Sequence, residues 1–236
     1  MTKDVITVAD LLKVMKNTLE VMKVNEMYLT HLDAEIGDTD HGINMIRGFN
    51  LANSRLSSLV NPDVGAIMNT VGKALLEGAG GTAGALYGTL YLEASKQALG
   101  KMQIDKTDLA AMFEAGLMGV QRMGGGTVPG EKTMVDALAP AVNELKKMAD
   151  HEDVSLGVVL ARATEAAREG MNKTIQLVAK KGRARYFGQR SIGHQDIGAT
   201  TTYLILRTLL DTLEGKIGIR ITKYGSDGAI LEEEYI

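Results

Sequence analysis

Residues 7–29 read TVADLLKVMKNTLEVMKVNEMYL, and their apolar side chains recur at intervals of three and four residues. This spacing places the apolar side chains on one face of an α-helix. Thr7 followed by Asp10 is typical of the capping box that opens a helix. The stretch therefore predicts a first helix that buries one face. The positions that carry the pattern are Leu11, Leu12, Met15, Leu19, Met22 and Leu29.

Seven further segments show a helical pattern, joined by short or glycine-rich connections. Aromatic residues are scarce at 4%, which disfavours a β-sandwich or barrel. Pro140 lies inside the sixth pattern and is expected to kink that helix or end its first part. The prediction is an all-α fold of eight helices. The seven segments run from about Ile43 to Leu59, Asp63 to Leu76, Ala83 to Leu99, Leu109 to Met123, Thr133 to Met148, Leu156 to Val178 and Gly198 to Leu213.

The chain changes character after Gly215. Residues 217–224, IGIRITKY, alternate apolar and polar side chains, which predicts an edge strand or hairpin. No repeat or low-complexity linker divides the earlier part. We therefore expect a single helical domain at 1–214 and a C-terminal tail at 215–236.

Composition excludes several classes of function. The chain has no cysteine, which excludes a disulfide scaffold, cysteine-ligated zinc and a cysteine nucleophile. The net charge of −3 gives no electrostatic reason to expect nucleic acid or a membrane surface as partner. No apolar stretch reaches the roughly 18 residues that span a bilayer. The N-terminus lacks the features of a signal peptide, so a cytoplasmic location is expected.

Three aspartates are crowded into one connection. Asp33, Asp38 and Asp40 stand at the spacing D-x4-D-x-D around Gly37. Carboxylates this close repel each other unless a cation lies between them, and oxygen ligands suit Mg²⁺ or Ca²⁺. The pattern is not an EF-hand, and a set of only three carboxylates favours Mg²⁺. An acidic loop that caps a helix explains the spacing about as well.

Two glycine-rich connections follow. Residues 77–90, EGAGGTAGALYGTL, place glycines before an apolar helix, where backbone N–H groups favour a phosphate. Close packing of helices through small residues is an equal alternative. Residues 122–140, RMGGGTVPGEKTMVDALAP, read as a plain helix–loop–helix connection. Only the presence of the other glycine-rich loop makes them a candidate wall for a ligand.

The fourth connection, residues 180–201, reads KKGRARYFGQRSIGHQDIGATT. Its arginines suit a polyphosphate, although a solvated basic hairpin is an alternative. Ser191, His194 and Asp196 are too close in sequence for a hydrolase triad, and no nucleophile elbow is present. Taken together, the four connections supply carboxylates, free amides and arginines. These are the parts that phosphoryl transfer requires.

The sequence resembles the L subunit, or L domain, of dihydroxyacetone kinases. The resemblance covers roughly residues 10 to 213 and implies an eight-helix antiparallel barrel that holds a magnesium-bound adenine nucleotide at one end. It rests on four segments in order: LDAEIGDTDHGINMIRGF (32–49), GGTAGALYGTL (80–90), GGGTVPGEKTMVDALAP (124–140) and GRARYFGQRSIGHQDIGATT (182–201).

The resemblance implies a role for each matching position. Asp33, Asp38 and Asp40 would ligate two Mg²⁺ ions shared with the nucleotide phosphates. Arg183 would reach the phosphates from the long loop and act as the catalytic residue. The implied nucleotide contacts are His41, Gly42, Ile43 and Asn44 at the start of a helix, Gly81, Thr82 and Ala83 on the phosphates, Gly125, Thr133 and Met134 around adenine and ribose, and Asp196, Ile197 and Gly198 closing over the nucleotide.

Four positions depart from the family pattern. The family usually has glycine where Thr39 stands, a small hydroxyl residue in place of Ala83, and proline in place of Ile197. It commonly has aspartate where this chain has Glu131. We expect Thr39 to alter the loop between two metal ligands and Ala83 to remove a hydroxyl contact to phosphate.

The resemblance implies the nucleotide-bearing subunit of a multi-subunit kinase. ADP would stay bound as a coenzyme, be rephosphorylated by a phosphohistidine phosphotransferase protein, and pass its γ-phosphoryl to dihydroxyacetone on a separate K subunit. One alternative is an ATP-dependent subunit for another short ketose, and a second is a nucleotide-sensing module without chemistry. A homodimer is left open.

Overall fold

The structure is a computed structural model that describes residues 4–216, 220–224 and 230–235. Within these ranges, nine α-helices account for most of the chain, so the all-α prediction is confirmed. Two 3₁₀ turns, Thr174–Gln176 and Ala184–Ser191, lie in the long connection before the last helix. The helices are α1 Val8–Val24, α2 Glu26–Ile36, α3 His41–Leu56, α4 Val64–Gly78, α5 Gly81–Lys96, α6 Lys106–Met123, α7 Val135–Ala149, α8 Leu156–Lys173 and α9 Ile197–Leu213.

Eight of these helices form a closed ring. Each of α3 to α8 packs against the next helix in sequence, while α1 contacts both α3 and α9 and so closes the ring. The short helix α2 is added to this ring and packs on α3 and α9. The helices share one apolar core in this ring, and α9 is buried along most of its length.

The additional helix arises at Asn25, which ends the predicted first helix early. The Asn25 side chain donates to the Val21 carbonyl at 2.8 Å, and the residue is buried. An asparagine amide that satisfies the preceding turn competes with the helical ladder. The chain therefore turns at Asn25 and starts α2, a break that apolar periodicity alone does not reveal.

Helix α7 runs through Pro140 without ending there. Proline has no N–H to donate to the carbonyl four residues earlier, which is that of Asp136. Gly170 of α8 packs directly on this carbonyl, since a Cβ at Gly170 would lie 2.1 Å from the Asp136 oxygen. Helices α7 and α8 are thus in close contact where the proline interrupts the ladder.

Short strands lie at the periphery. Strand β1, Ile6–Thr7, pairs antiparallel with β2, Gln103–Ile104, a contact that two-residue strands are too short to signal in sequence. In the tail, β3, Arg220–Tyr224, pairs antiparallel with β4, Ile230–Tyr235, as the alternating pattern predicted. The division into a domain at 1–214 and a tail stays a prediction. None of the helices in the described ranges combines the length and apolarity needed to cross a bilayer.

Candidate metal and phosphate site

The three aspartates converge where α2 ends and α3 begins. One carboxylate oxygen of each lies within 4.8 Å of the others. Asp33, on α2, is buried, and its Oδ2 accepts from the backbone N–H groups of Asp40 (3.0 Å) and His41 (3.1 Å) at the start of α3. These bonds fix one member of the cluster and satisfy donors that a helix start leaves free.

Gly37 allows this close approach. A Cβ there would lie 1.9 Å from Asp33 Oδ1 and 2.7 Å from the Asp33 carbonyl oxygen. Heavy atoms without a bond between them do not approach so closely, so any side chain at this position would displace the Asp33 carboxylate. The glycine that sequence reasoning placed at the centre of the aspartate motif therefore has a steric reason.

The charges of the neighbouring aspartates act on Asp38. Burial raises the pKa of Asp38, and the charges of Asp40 and Asp33 raise it further. Arg183 opposes this shift, with its guanidinium 2.8 Å from the Asp38 carboxylate. The three carboxylates range from buried (Asp33) to exposed (Asp40). Oxygen ligands of this kind fit a hard divalent cation that also binds phosphate or water on its exposed side.

Thr39, between two of the aspartates, has a φ of 66°. This left-handed region is strained for a β-branched residue and costs glycine nothing. The backbone conformation therefore explains why the resembling family has glycine at this position.

The glycines around the start of α5 divide into two groups. Gly80 and Gly81 have φ of 63° and 55°, and a Cβ at either would meet nothing within 4 Å. By contrast, a Cβ at Gly84 would lie 2.8 Å from the Leu75 carbonyl, and one at Gly78 would lie 3.2 Å from the Arg47 carbonyl. The sequence allowed either close helix packing or an open, phosphate-binding turn. Gly78 and Gly84 serve packing, whereas Gly80 and Gly81 shape an open turn.

The open turn leaves backbone donors at the start of α5. Among the described residues, no side chain caps this helix. Its first α-helical bond runs from the Gly84 N–H to the Gly80 carbonyl at 2.8 Å. The amides of Gly81, Thr82 and Ala83 therefore precede the helical ladder, which is an arrangement suited to a phosphate.

Buried polar contacts join the helices around the site. His41 Nε2 lies 2.9 Å from Thr201 Oγ1 of α9, and the His41 ring packs edge-on to Tyr87 of α5. Burial lowers the pKa of His41 to about 4, so this ring is neutral. The Tyr87 hydroxyl donates to the Gly198 carbonyl at 2.7 Å. The His41 side chain thus couples α3 to α9, while Ile43 and Asn44, two and three residues further along, are more accessible.

The remaining predicted residues lie on two connections that meet at α9. A Cβ at Gly198 would lie 3.2 Å from the Met134 N atom, so the 124–134 connection touches the start of α9. The Thr133 N–H donates to Asp136 at 2.7 Å. Lys181 reaches the carbonyl of Gly125 at 3.1 Å from the long loop.

Asp196 caps α9 by accepting from the Ala199 N–H at 2.7 Å. It is buried, and this burial raises its pKa to about 7. Ile197 is the first residue of α9, a position that favours proline, which accounts for the proline usual in the family. Glu131 accepts from the Val128 N–H at 3.2 Å and so closes the turn in which the family has aspartate.

Sequence reasoning missed the buried polar residues that hold this arrangement together. Lys132 is 1% exposed and Tyr87 is also buried, and both donate to backbone carbonyls. A lysine in a glycine-rich connection reads as a solvated side chain, and a tyrosine on an apolar helix reads as core. Neither carries a signal in sequence that distinguishes it from these ordinary roles.

A ring of eight helices with a carboxylate cluster and a glycine-rich helix start at its connections defines the class of helical domain. Residues 35–211 match the DAK2 domain family, and the chain belongs to this family.

Comparison with individual relatives narrows the class. The ADP-binding subunit of the PEP-dependent dihydroxyacetone kinase of Escherichia coli K12 is 38% identical over 190 residues, 80% of this chain and 90% of that protein. The corresponding subunit of the PTS-dependent kinase of Lactococcus lactis IL1403 is 37% identical over 82% of this chain and 92% of that protein. The resemblance and the expectation of a kinase subunit are thereby confirmed.

Larger proteins also match. The D-erythrulose kinase of Mycolicibacterium smegmatis is 34% identical over 81% of this chain, which spans only 33% of that protein. The solved dihydroxyacetone kinase of C. freundii in complex with AMP-PNP and Mg²⁺ aligns over 85% of this chain and 33% of its own, with a TM-score of 0.63 and 22% identity. At this identity the structural likeness shows the fold alone.

Proposed function

We propose that this chain is the nucleotide-binding, phosphoryl-transferring subunit of a dihydroxyacetone kinase. It would hold magnesium-bound ADP and ATP as a coenzyme, accept a phosphoryl group from a phosphohistidine protein and pass it to dihydroxyacetone on a separate K subunit. The observation that carries this proposal is the cluster of Asp33, Asp38 and Asp40, within 4.8 Å of one another, with Arg183 at 2.8 Å from Asp38.

The aspartates would hold Mg²⁺, and the family resemblance suggests two ions. Asp33 already accepts two backbone N–H bonds on Oδ2, which leaves Oδ1 as its free ligand atom. Asp38 and Asp40 are more accessible and would supply the remaining protein oxygens. When bound, Mg²⁺ neutralises charge on the transferring phosphoryl group.

Hydrogen-bond donors of this chain would bind the phosphates directly. The amides of Gly81, Thr82 and Ala83 would donate to phosphate oxygens, and Arg183, at 71% side-chain exposure, is free to turn from Asp38 to a phosphate. Phosphoryl transfer depends mainly on positioning and charge neutralisation. On this proposal the transfer requires no general base from this chain.

The nucleoside would lie against the two connections that meet at α9. Gly125, Thr133 and Met134 would bound adenine and ribose, and the segment from Asp196 to Gly198 would close the site. The contact of Gly198 with Met134 supports a shared wall, because it brings the two connections together.

The partners follow from the relatives. Those that match this chain over most of their length are named as ADP-binding subunits of PEP- or PTS-dependent kinases. A subunit of this kind needs a phosphoprotein donor and a subunit that presents the ketone. We infer the same two partners for this chain.

The first test is the nucleotide and magnesium content of the purified protein after gel filtration. About one ADP per chain, rephosphorylated by a phosphohistidine donor protein, is the expected result for a retained coenzyme. A folded chain that binds no nucleotide at all would refute the proposal.

A second candidate is an ATP-dependent subunit for a four-carbon ketose, which the match to D-erythrulose kinase favours. In that case nucleotide would exchange freely, and ATP would replace the phosphoprotein as donor. Transfer assays with dihydroxyacetone and erythrulose, each with ATP or phosphoprotein as donor, separate the two candidates.

A further inference from the structure

Lys132 is a buried lysine with an unusual backbone. It is 1% exposed, and its φ of 61° lies in the left-handed region. Its ammonium group donates to the Thr174 carbonyl at 2.6 Å and to the His194 carbonyl. A lysine is almost never this buried without partners, because an unpaired buried charge is costly. The two carbonyls are therefore the reason that Lys132 is inside.

These two carbonyls mark the two ends of the arginine loop, the connection of residues 174–196 that separates α8 from α9. A single ammonium group thus ties the start of the loop to its end. The same base is closed by the Asp196 N–H, which donates to Thr174 Oγ1 at 2.9 Å. The Lys180 N–H also donates to the Glu131 carbonyl at 3.0 Å. The arginine loop therefore rests on the turn that contains Lys132.

The charge of Lys132 also acts on two carboxylates that are buried near it, those of Asp136 and Asp196. Asp196 and Asp136 raise the pKa of Lys132, although burial outweighs them and lowers it to about 8. Asp136 raises the pKa of Asp196, and Lys132 lowers it. A neutral residue at 132 would leave two buried carboxylates with uncompensated repulsion and two carbonyls without their donor.

The arginine loop carries the groups that the proposed function needs. Arg183 lies in it and reaches Asp38 at 2.8 Å, while Asp196 and Gly198 follow its far end at the start of α9. The loop is otherwise short of regular structure, with only 3₁₀ turns. Its position over the aspartate cluster therefore rests on the contacts at its base together with the contacts of Arg183 with Asp38 and of His194 with Glu35.

We propose that Lys132 is a positioning residue that fastens both ends of the arginine loop, so that Arg183 and the start of α9 are held in place for the nucleotide. The inference rests on the proposed function, since it assumes that the loop meets Mg-ADP. Lys132 itself acts only through the backbone that it holds.

The test compares Lys132→Met, whose unbranched side chain is one heavy atom shorter and carries no charge, with the wild-type chain. We expect Mg-ADP affinity, measured by calorimetry, to fall at least about tenfold, as loss of charged hydrogen bonds would produce. Trypsin cleavage after Lys181, Arg183 and Arg185 of the nucleotide-free protein should accelerate by about the same factor, because the loop opens locally.

Two further variants separate positioning from general destabilisation. Leu145→Ala, at a fully buried position on α7, should lower the melting temperature but leave affinity and loop cleavage within about twofold of the wild type. In an Arg183→Ala background, Lys132→Met should weaken Mg-ADP binding by a smaller factor than it does in the wild-type chain, because the part of its effect that acts through Arg183 is already lost.

The outcomes are distinct. A wild-type chain that binds no Mg-ADP would overturn the proposed function, whereas normal affinity and normal cleavage of the Lys132→Met protein would overturn only the role of Lys132. Additive losses in the Arg183→Ala background would also overturn it. If Lys132→Met does not fold, Lys132→Gln, which keeps a neutral donor, is measured in the same way and should show a smaller loss of the same kind.

Discussion

Replacing Asp38 with asparagine should stabilise the protein without ligand and abolish the stabilisation that Mg-ADP provides. The carboxylates of Asp33, Asp38 and Asp40 lie within 4.8 Å of one another. At that distance each pair of charges repels by about 1 kcal/mol in a water-like dielectric. Asp38→Asn removes two such repulsions and one exposed ion pair with Arg183, worth about 0–1 kcal/mol. The expected net gain without ligand is about 1 kcal/mol.

The effect reverses when ligand is present. At a ligand concentration about one hundredfold above its dissociation constant, binding stabilises the native state by about 2.7 kcal/mol. For a chain of this size that corresponds to a rise in melting temperature of roughly 5–10 °C. The wild-type chain should show this rise with Mg²⁺ and ADP together, and Asp38→Asn should not, because asparagine is a poorer ligand for a hard cation.

The assay is thermal unfolding followed by circular dichroism, with and without Mg²⁺ and ADP. Asp153→Asn is the matched control, since it removes an exposed carboxylate from the connection before α8. It should respond to ligand as the wild type does. An Asp38→Asn protein that is stabilised by Mg-ADP as strongly as the wild type would show that the cluster does not hold the metal.

Three further outcomes are expected. Thr39→Gly should raise the free energy of unfolding by about 1 kcal/mol, because relief of the left-handed backbone strain exceeds the added entropy of the unfolded chain. A melting temperature at or below that of the wild type would contradict this. Gly37→Ala should destabilise the fold by about 1–3 kcal/mol and weaken Mg²⁺ binding, as measured by denaturant titration and calorimetry, because its Cβ would collide with Asp33. The pKa of Asp196, about 7, exceeds that of an aspartate in the unfolded chain. Between about pH 4 and pH 7 the native state therefore binds more protons than the unfolded state, and the contribution of this residue to stability falls as the pH rises. Asp196→Asn keeps the helix cap and should flatten that fall by about 1 kcal/mol per pH unit, and identical pH profiles for both proteins would refute the assignment.

The helical segments could be predicted because apolar periodicity is a local property. Seven of the eight predicted segments correspond to single helices, with ends displaced by a few residues. The first predicted segment corresponds to two helices, α1 and α2, because the Asn25 side-chain amide donates to the Val21 carbonyl and the helix ends there. Whether an asparagine side chain bonds to its own helix or to solvent depends on its burial, which sequence does not state.

The sequence predicted which residues belong to the candidate site but not how they are placed relative to one another in space. The spacing of Asp33, Asp38 and Asp40 indicated a cation, and the structure brings them together because Gly37 lets the chain pass beside Asp33. Their roles as metal ligands stay a prediction. The same holds for the nucleotide contacts that the family resemblance supplied.

By itself, the sequence determined the all-α class, the positions of most connections and the types of chemical group that those connections carry, because each follows from neighbouring residues. Only the tertiary structure decided which glycines serve packing and which shape an open turn, since Gly84 and Gly81 differ in what surrounds them across helices. It likewise decided that Lys132 is buried between Thr174 and His194, residues more than forty positions away. Contacts between such distant segments form only when the ring of helices closes, and local sequence carries no record of them.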